Sequence, residues 1–138
     1  MQKITLTNNQ DEKDVRRGLM TGDQVRRIEI EALVDTGATM LMLPEDVVAG
    51  LGLLPDGFRK VRYADGRVRE LPWVSGIRLR ILGRETVINA LVEETGRTPL
   101  IGQIPLEELD LLVDPKSREL RVNPISPEAP LLDALSAT

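Results

Sequence analysis

The 138-residue chain contains no cysteine and no histidine, and these two absences exclude more chemistry than any abundant residue suggests. Without cysteine there is no thiol nucleophile, no disulfide and no thiolate-bound metal. Without histidine the Ser-His and Cys-His pairs and the usual zinc sites are lost as well. Aromatic residues are scarce: Phe58, Tyr63 and Trp73 are the whole set. Leu, Ile and Val must therefore fill the core, and a base-stacking surface for single-stranded nucleic acid is not expected. No apolar run approaches the ~18 residues of a membrane span, and Met1-Gln2-Lys3-Ile4-Thr5 lacks the apolar core of a signal peptide. The expectation is a cytoplasmic protein with no membrane or nucleic-acid partner, no metal and no cofactor. The formal net charge of −4 also argues against a polyanion partner. Arg16-Arg17 and Arg26-Arg27 read as solubilising pairs on exposed surface. Hydrolysis by paired carboxylates survives these exclusions.

Carboxylates are placed most suggestively at Ala32-Leu33-Val34-Asp35-Thr36-Gly37-Ala38-Thr39. Ile28, Ile30, Ala32 and Val34 alternate with Arg27, Glu29, Glu31 and Leu33, the period of a half-buried strand, which puts Asp35 at a strand end. Gly37 lets the backbone turn sharply, and the Thr36 hydroxyl can both donate and accept. By itself Asp-Thr-Gly also fits an ordinary turn, because Asp and Gly are common turn residues.

The rest of the chain reads as short strands and turns. Lys3 to Thr7 is a strand. The polar stretch Asn8 to Gln24 is either a solvated loop or hairpin or a short helix around Asp14 to Met20, with the solvated connection preferred. Met40-Leu41-Met42-Leu43 is buried strand, and Pro44-Glu45-Asp46 starts a helix that Gly50 and Gly52 end. Phe58 to Leu71 is a hairpin around Ala64-Asp65-Gly66. A second hairpin pairs the strand containing Ile77, Leu79 and Ile81 with Thr86 to Val92 through a turn at Gly83-Arg84. Glu94-Thr95-Gly96 is a turn before Pro99. Leu100-Ile101-Gly102 leads into a short helix over Ile104 to Leu109. Leu111 to Val113 and Glu119 to Val122 are strands flanking a turn at Asp114 to Ser117. The Pro-rich tail from Asn123 to Pro130 is extended, and Leu131 to Leu135 offers a small apolar anchor, either disordered or docked on a partner subunit.

In this order the motifs resemble the retropepsin-like aspartic proteases. That family runs an apolar strand into Asp-Thr-Gly-Ala, has a flap hairpin where this chain has Ala64-Asp65-Gly66, and carries an apolar-apolar-Gly element where it has Leu100-Ile101-Gly102. The likeness is to compact single-lobe prokaryotic members, whose chains end much like Leu106-Glu107-Glu108-Leu109 followed by Val113-Asp114-Pro115. It implies a mainly β, closed-barrel-like retropepsin (acid protease) fold with one or two short helices. The implied layout is an N-terminal strand and connection over 1–24, the retropepsin-like domain over 25–123 and the tail over 124–138. Asp35 would be catalytic, with Thr36, Gly37 and Ala38 supporting the active-site loop. Because the motif occurs once in a chain the size of one lobe, two copies would assemble the carboxylate pair, making the protein a homodimeric endopeptidase acting on peptide or protein substrates. Departures from the pattern are Thr39 and Gln103, where retroviral members carry an Asp and an Arg, and Ile104, where many cellular members carry an Asp. The competing reading is a non-catalytic module that keeps the fold for peptide binding or dimerisation.

Overall fold

The computed structural model describes residues 1–132. The chain enters as β1 (Gln2–Asn8), passes through α1 (Asn9–Arg16) and a 3-10 turn (Gly22–Gln24), and continues into β2 (Arg27–Val34). Next come β3 (Leu41–Pro44), α2 (Glu45–Gly50), β4 (Gly57–Arg62), β5 (Val68–Ile81), β6 (Arg84–Glu93) and β7 (Leu100–Ile101). The chain finishes with α3 (Gln103–Leu109), β8 (Leu111–Val113) and β9 (Leu120–Val122). Strands β1-β2-β7-β3-β6-β5-β4 form one mixed sheet in that order, and an additional pairing of β1 with β5 closes all but β4 into a ring. This is the mainly β, barrel-like architecture that the motif order implied, with three short α-helices where one or two were expected.

One strand makes the closure possible. Residues Val68–Trp73 of β5 pair with β4, from Arg62↔Val68 to Gly57↔Trp73. Beyond a bulge between Val74 and Ile77, the same strand pairs with β1, placing Leu79 opposite Leu6. Gly76 takes φ +73° at this bulge, a left-handed conformation that a side chain would strain. The two halves of β5 thus serve two structures: a hairpin with β4 and the barrel wall with β1.

Inward-facing aliphatic residues fill the barrel. Ile4, Leu6, Leu41, Leu43, Ile77, Leu79, Ile81 and Ile101 are all at most 1% exposed, and each such side chain contributes about 1.5–3 kcal/mol on burial. A smaller cluster of Met42, Leu71 and Leu91, with Met40, Val61, Trp73 and Leu100 against it, lies apart from this core.

Four local expectations need correction. The Asn8 to Gln24 stretch is not a plain solvated connection, and its helix is not at Asp14 to Met20. Helix α1 begins at Asn9 because Asn8 Oδ1 accepts the Asp11 N–H at 3.0 Å, and it stops before Gly18, whose φ is +76°. It buries polar Asn9 and Asp11 rather than an apolar stripe, so hydrophobic periodicity had nothing to report. The second hairpin turns at Leu82-Gly83, both left-handed, not at Gly83-Arg84. Arg84 instead opens β6 and is buried, donating to the carbonyls of Leu109, Asp110 and Ser126. Pro44 belongs to β3 and caps α2 instead of starting it. The tail folds back on its own chain: the Asp110 carboxylate accepts from Asn123 Nδ2 at 3.0 Å, from the Ser126 hydroxyl and from Leu131 N–H at 3.1 Å. Leu131 and Leu132 are exposed, and the remainder of the Leu131 to Leu135 anchor lies outside the described residues.

Candidate active site

Asp35 is where β2 stops being a strand. Val34 pairs in parallel with Ile101 of β7, and the ladder ends with the Asp35 N–H donating to the Ile101 carbonyl at 3.0 Å. The chain then turns back on the carboxylate: Gly37 N–H donates to Asp35 Oδ1 at 3.0 Å, and Ala38 N–H to the Asp35 carbonyl at 3.1 Å. A Cβ on residue 37 would sit 3.2 Å from Oδ1, so glycine lets the loop wrap the acid closely. Thr36 is exposed, and its hydroxyl makes no hydrogen bond among the described residues.

The loop is braced from below by α3. Gln103 N–H donates to the Ala38 carbonyl at 2.9 Å and Ile104 N–H to the Thr39 carbonyl at 2.8 Å. These orphan donors of a helix start are satisfied by the loop itself. The approach is so close that a Cβ on residue 102 would lie 2.5 Å from the Met40 carbonyl oxygen and 2.8 Å from that of Ala38. Gly102 is therefore required by contact, not by its φ of −89°. The bracing uses backbone atoms, so having Thr39 and Gln103 in place of a charged pair leaves it intact. Gln103 turns its side chain to Glu107, at 3.3 Å.

Asp35 opens onto a cleft of about 880 Å³. The Asp35–Met40 loop forms one wall, the β4–β5 hairpin a second and the Gly96–Thr98 turn a third, with Met42, Leu91 and Leu100 of the smaller apolar cluster contributing to the floor. Of the residues expected at a flap, Ala64 lines the cleft, whereas Asp65 and Gly66 occupy the hairpin tip. Asp65 there accepts from the Arg67 N–H at 2.9 Å and its Nε at 2.7 Å, and those bonds hold its carboxyl below the usual range. Leu100 reaches the cleft; Ile101 and Gly102 are buried behind it.

The sequence reading missed several cleft residues. Arg59, Lys60, Arg62 and Arg97 line it, as do Tyr63 and Glu93. Glu93 is buried at the end of β6 and accepts from the Tyr63 hydroxyl at 2.5 Å, with Arg69 at 3.9 Å from its other oxygen. Burial, reinforced by that bond, pushes the Tyr63 hydroxyl up from its ordinary range. The dense cationic run Arg59-Lys60-Val61-Arg62 was the available signal, but its relation to Asp35, more than twenty residues away, is set by the sheet. Among the described residues no group of three or more metal-binding side chains gathers, and no helix is long and apolar enough to cross a membrane.

A barrel-like β fold with Asp-Thr-Gly at a strand end facing a peptide-sized cleft defines the class of acid proteases. The model of the aspartyl protease family matches residues 20–104, from before β2 to the start of α3. This chain belongs to the aspartyl protease family. A comparison with curated proteins matches none.

Proposed function

We propose that the protein is a homodimeric aspartic endopeptidase in which Asp35 of each protomer supplies half of a catalytic pair. The observation that carries this reading is the position of Asp35 in the cleft wall, wrapped by Gly37 and Ala38 and braced through Gly102. Two such carboxylates brought together across a two-fold axis cannot both ionise easily, so they share a proton. One then takes a proton from water as it attacks the peptide carbonyl, and the other gives its proton to the leaving amine. Their titration belongs to the pair. Thr36, exposed in the single chain, is free to bond across the floor of such a pair, and the β4–β5 hairpin serves as a flap over bound peptide.

Asp35→Asn tests the reading. The amide keeps the size and most hydrogen bonds but removes the ionisable group, so folding should survive and cleavage of a mixed peptide pool between about pH 4 and pH 7 should be abolished. The mutant should be at least as stable as wild type at neutral pH, because repulsion across the axis is relieved. Activity should also fall faster than linearly on dilution, with sedimentation reporting a dimer at the active concentrations. Undiminished cleavage by Asp35→Asn would place the catalyst elsewhere. Peptide binding without cleavage by wild type would assign the cleft to a non-catalytic module.

A further inference from the structure

Resting on that reading of the cleft, we infer that its substrates are acidic peptides, with Asp or Glu side chains near the cleaved bond held by Arg62 and Arg97 and supported by Arg59 and Lys60. The argument starts from pairing. On the β1–β5 face clustered arginines are answered: Arg26, Arg27, Arg78 and Arg80 each have a carboxylate oxygen within 4 Å, whereas the exposed Arg16-Arg17 pair has none among the described residues. Among the described residues none of the four cleft cations has one. Arg59 lies over the Trp73 ring at 4.9 Å, which orients its guanidinium while leaving its N–H groups free. Arg62 and Arg97 are exposed, one on the hairpin wall and the other on the turn that faces the cleft.

The negative groups in the cleft do not cancel this charge. They are Asp35 and Glu93, and Glu93 is buried, with one oxygen taken by the Tyr63 hydroxyl and the other 3.9 Å from Arg69 without a hydrogen bond among the described residues. Four cationic residues and two carboxylates thus line the cleft of a protein whose overall formal charge is −4. A local sign opposite to that of the whole molecule favours anionic side chains at this surface and disfavours cationic ones. The apolar floor of Met42, Leu91 and Leu100 suits a peptide rather than a polynucleotide: among the described residues Tyr63 is the one aromatic side chain lining the cleft, short of the successive stacking faces that a single strand uses.

The experiment uses the full-length protein and a peptide pool whose cleavage sites are read by mass spectrometry. The best substrate is then resynthesised with flanking Glu, Gln or Lys. The Glu peptide should be cleaved with kcat/KM about tenfold above the Lys peptide, and the ratio should narrow as salt rises from about 50 mM to about 500 mM. Arg62→Gln with Arg97→Gln should collapse that ratio, and Arg62→Glu with Arg97→Glu should reverse it. Arg80→Gln, on the far charged surface, should leave it alone; thermal melts confirm folding throughout. A ratio near one, or one favouring Lys, with cleavage intact overturns the acidic preference and leaves the proteolytic reading standing. If wild type cleaves nothing, the proteolytic reading fails, and fluorescence polarisation of the same peptides on Asp35→Asn protein decides the preference. Equal binding of the Glu and Lys peptides overturns it, and so does Glu-peptide binding unaffected by the double Glu substitution. Competition by a single-stranded oligonucleotide of the same charge, as strong as by the Glu peptide, also overturns it in favour of a general polyanion site.

Discussion

The arginines of the β1–β5 face and those of the cleft differ in what answers their charge. On the outer face of β1 and β5, Arg78 is 2.8 Å from Glu12 and 3.3 Å from Glu85 and donates to Asn9 at 2.9 Å, while Arg80 meets Glu85 at 3.0 Å and Arg27 meets Glu12 at 3.8 Å. A recess of about 350 Å³ there is lined by these paired side chains. In the cleft, Arg59, Lys60, Arg62 and Arg97 have no carboxylate within 4 Å among the described residues. Arginines in a closed network fix one element against another; arginines left open are available to a ligand. The outer network ties α1 to the barrel, whereas among the described residues the cleft cations make no ion pair between elements, Arg59 resting on the Trp73 ring of the neighbouring strand. Substitutions on the outer face should therefore change stability and spare activity, and those in the cleft should do the reverse.

The sharpest test of that division lies beneath the cleft. Gly102→Ala places a methyl against the carbonyls of Met40 and Ala38, so the loop carrying Asp35 must shift away from α3. Proteolytic activity should fall about a hundredfold, as expected for a catalytic group displaced by about an ångström, with a stability loss of about 1–3 kcal/mol from overpacking. Steady-state kinetics and urea unfolding measure the two separately. A variant as active as wild type would show that the brace does not position the acid.

On the opposite side, Asp11→Ala removes the acceptor of three bonds from Arg26, to its backbone N–H at 3.0 Å and its guanidinium at 2.9 Å. Asp11 is buried but Arg26 is half exposed and can rehydrate. The expected loss is thus about 2–3 kcal/mol, at the low end for a broken buried pair, with kcat per folded molecule unchanged. Loss of activity at full stability would erase the distinction between the two surfaces.

Acid should erase the difference from the other direction. The Arg26 side chain holds the Asp11 carboxyl below its usual range, and the Ser126 hydroxyl, Asn123 and the Leu131 N–H do the same for Asp110. A depressed folded-state value contributes stability that is fully present above the unfolded carboxylate range, near ~3.9, and is lost as pH falls from there through the lower folded-state value. Urea midpoints should hold steady from about pH 5 to pH 7 and drop below about pH 4, and Asp110→Asn should flatten part of that drop. An unchanged midpoint at low pH would show that these bonds add nothing to folding.

The smallest effect is expected from Arg80→Gln. Its pair with Glu85 is largely exposed, so stability should move by no more than about 0.5 kcal/mol, with kinetics unchanged. A larger change would mean that the outer network behaves as one unit around Arg78.

The sequence by itself determined the strand that delivers Asp35, the Asp-Thr-Gly turn, the hairpin at Ala64-Asp65-Gly66 and the Leu100-Ile101-Gly102 element, because each is written in local alternation or turn chemistry. The same local rules placed the turn at Glu94-Thr95-Gly96, where Gly96 takes φ +93°. Tertiary structure decided what those rules cannot see. The start of α1 depends on Asn8 and on a buried Asp11 whose partner lies fifteen residues away. The placement of Arg84 depends on carbonyls at the end of α3 and in the tail, and the direction of the tail depends on Asp110 being left-handed at the end of α3. That Arg62 and Arg97 line one cleft with Asp35 follows from β4 pairing with β5 and β2 with β7. These are contacts between residues far apart in the chain. Local patterns specify which groups are present and how the backbone turns around them; only closure of the barrel specifies which charges meet a partner and which are left open.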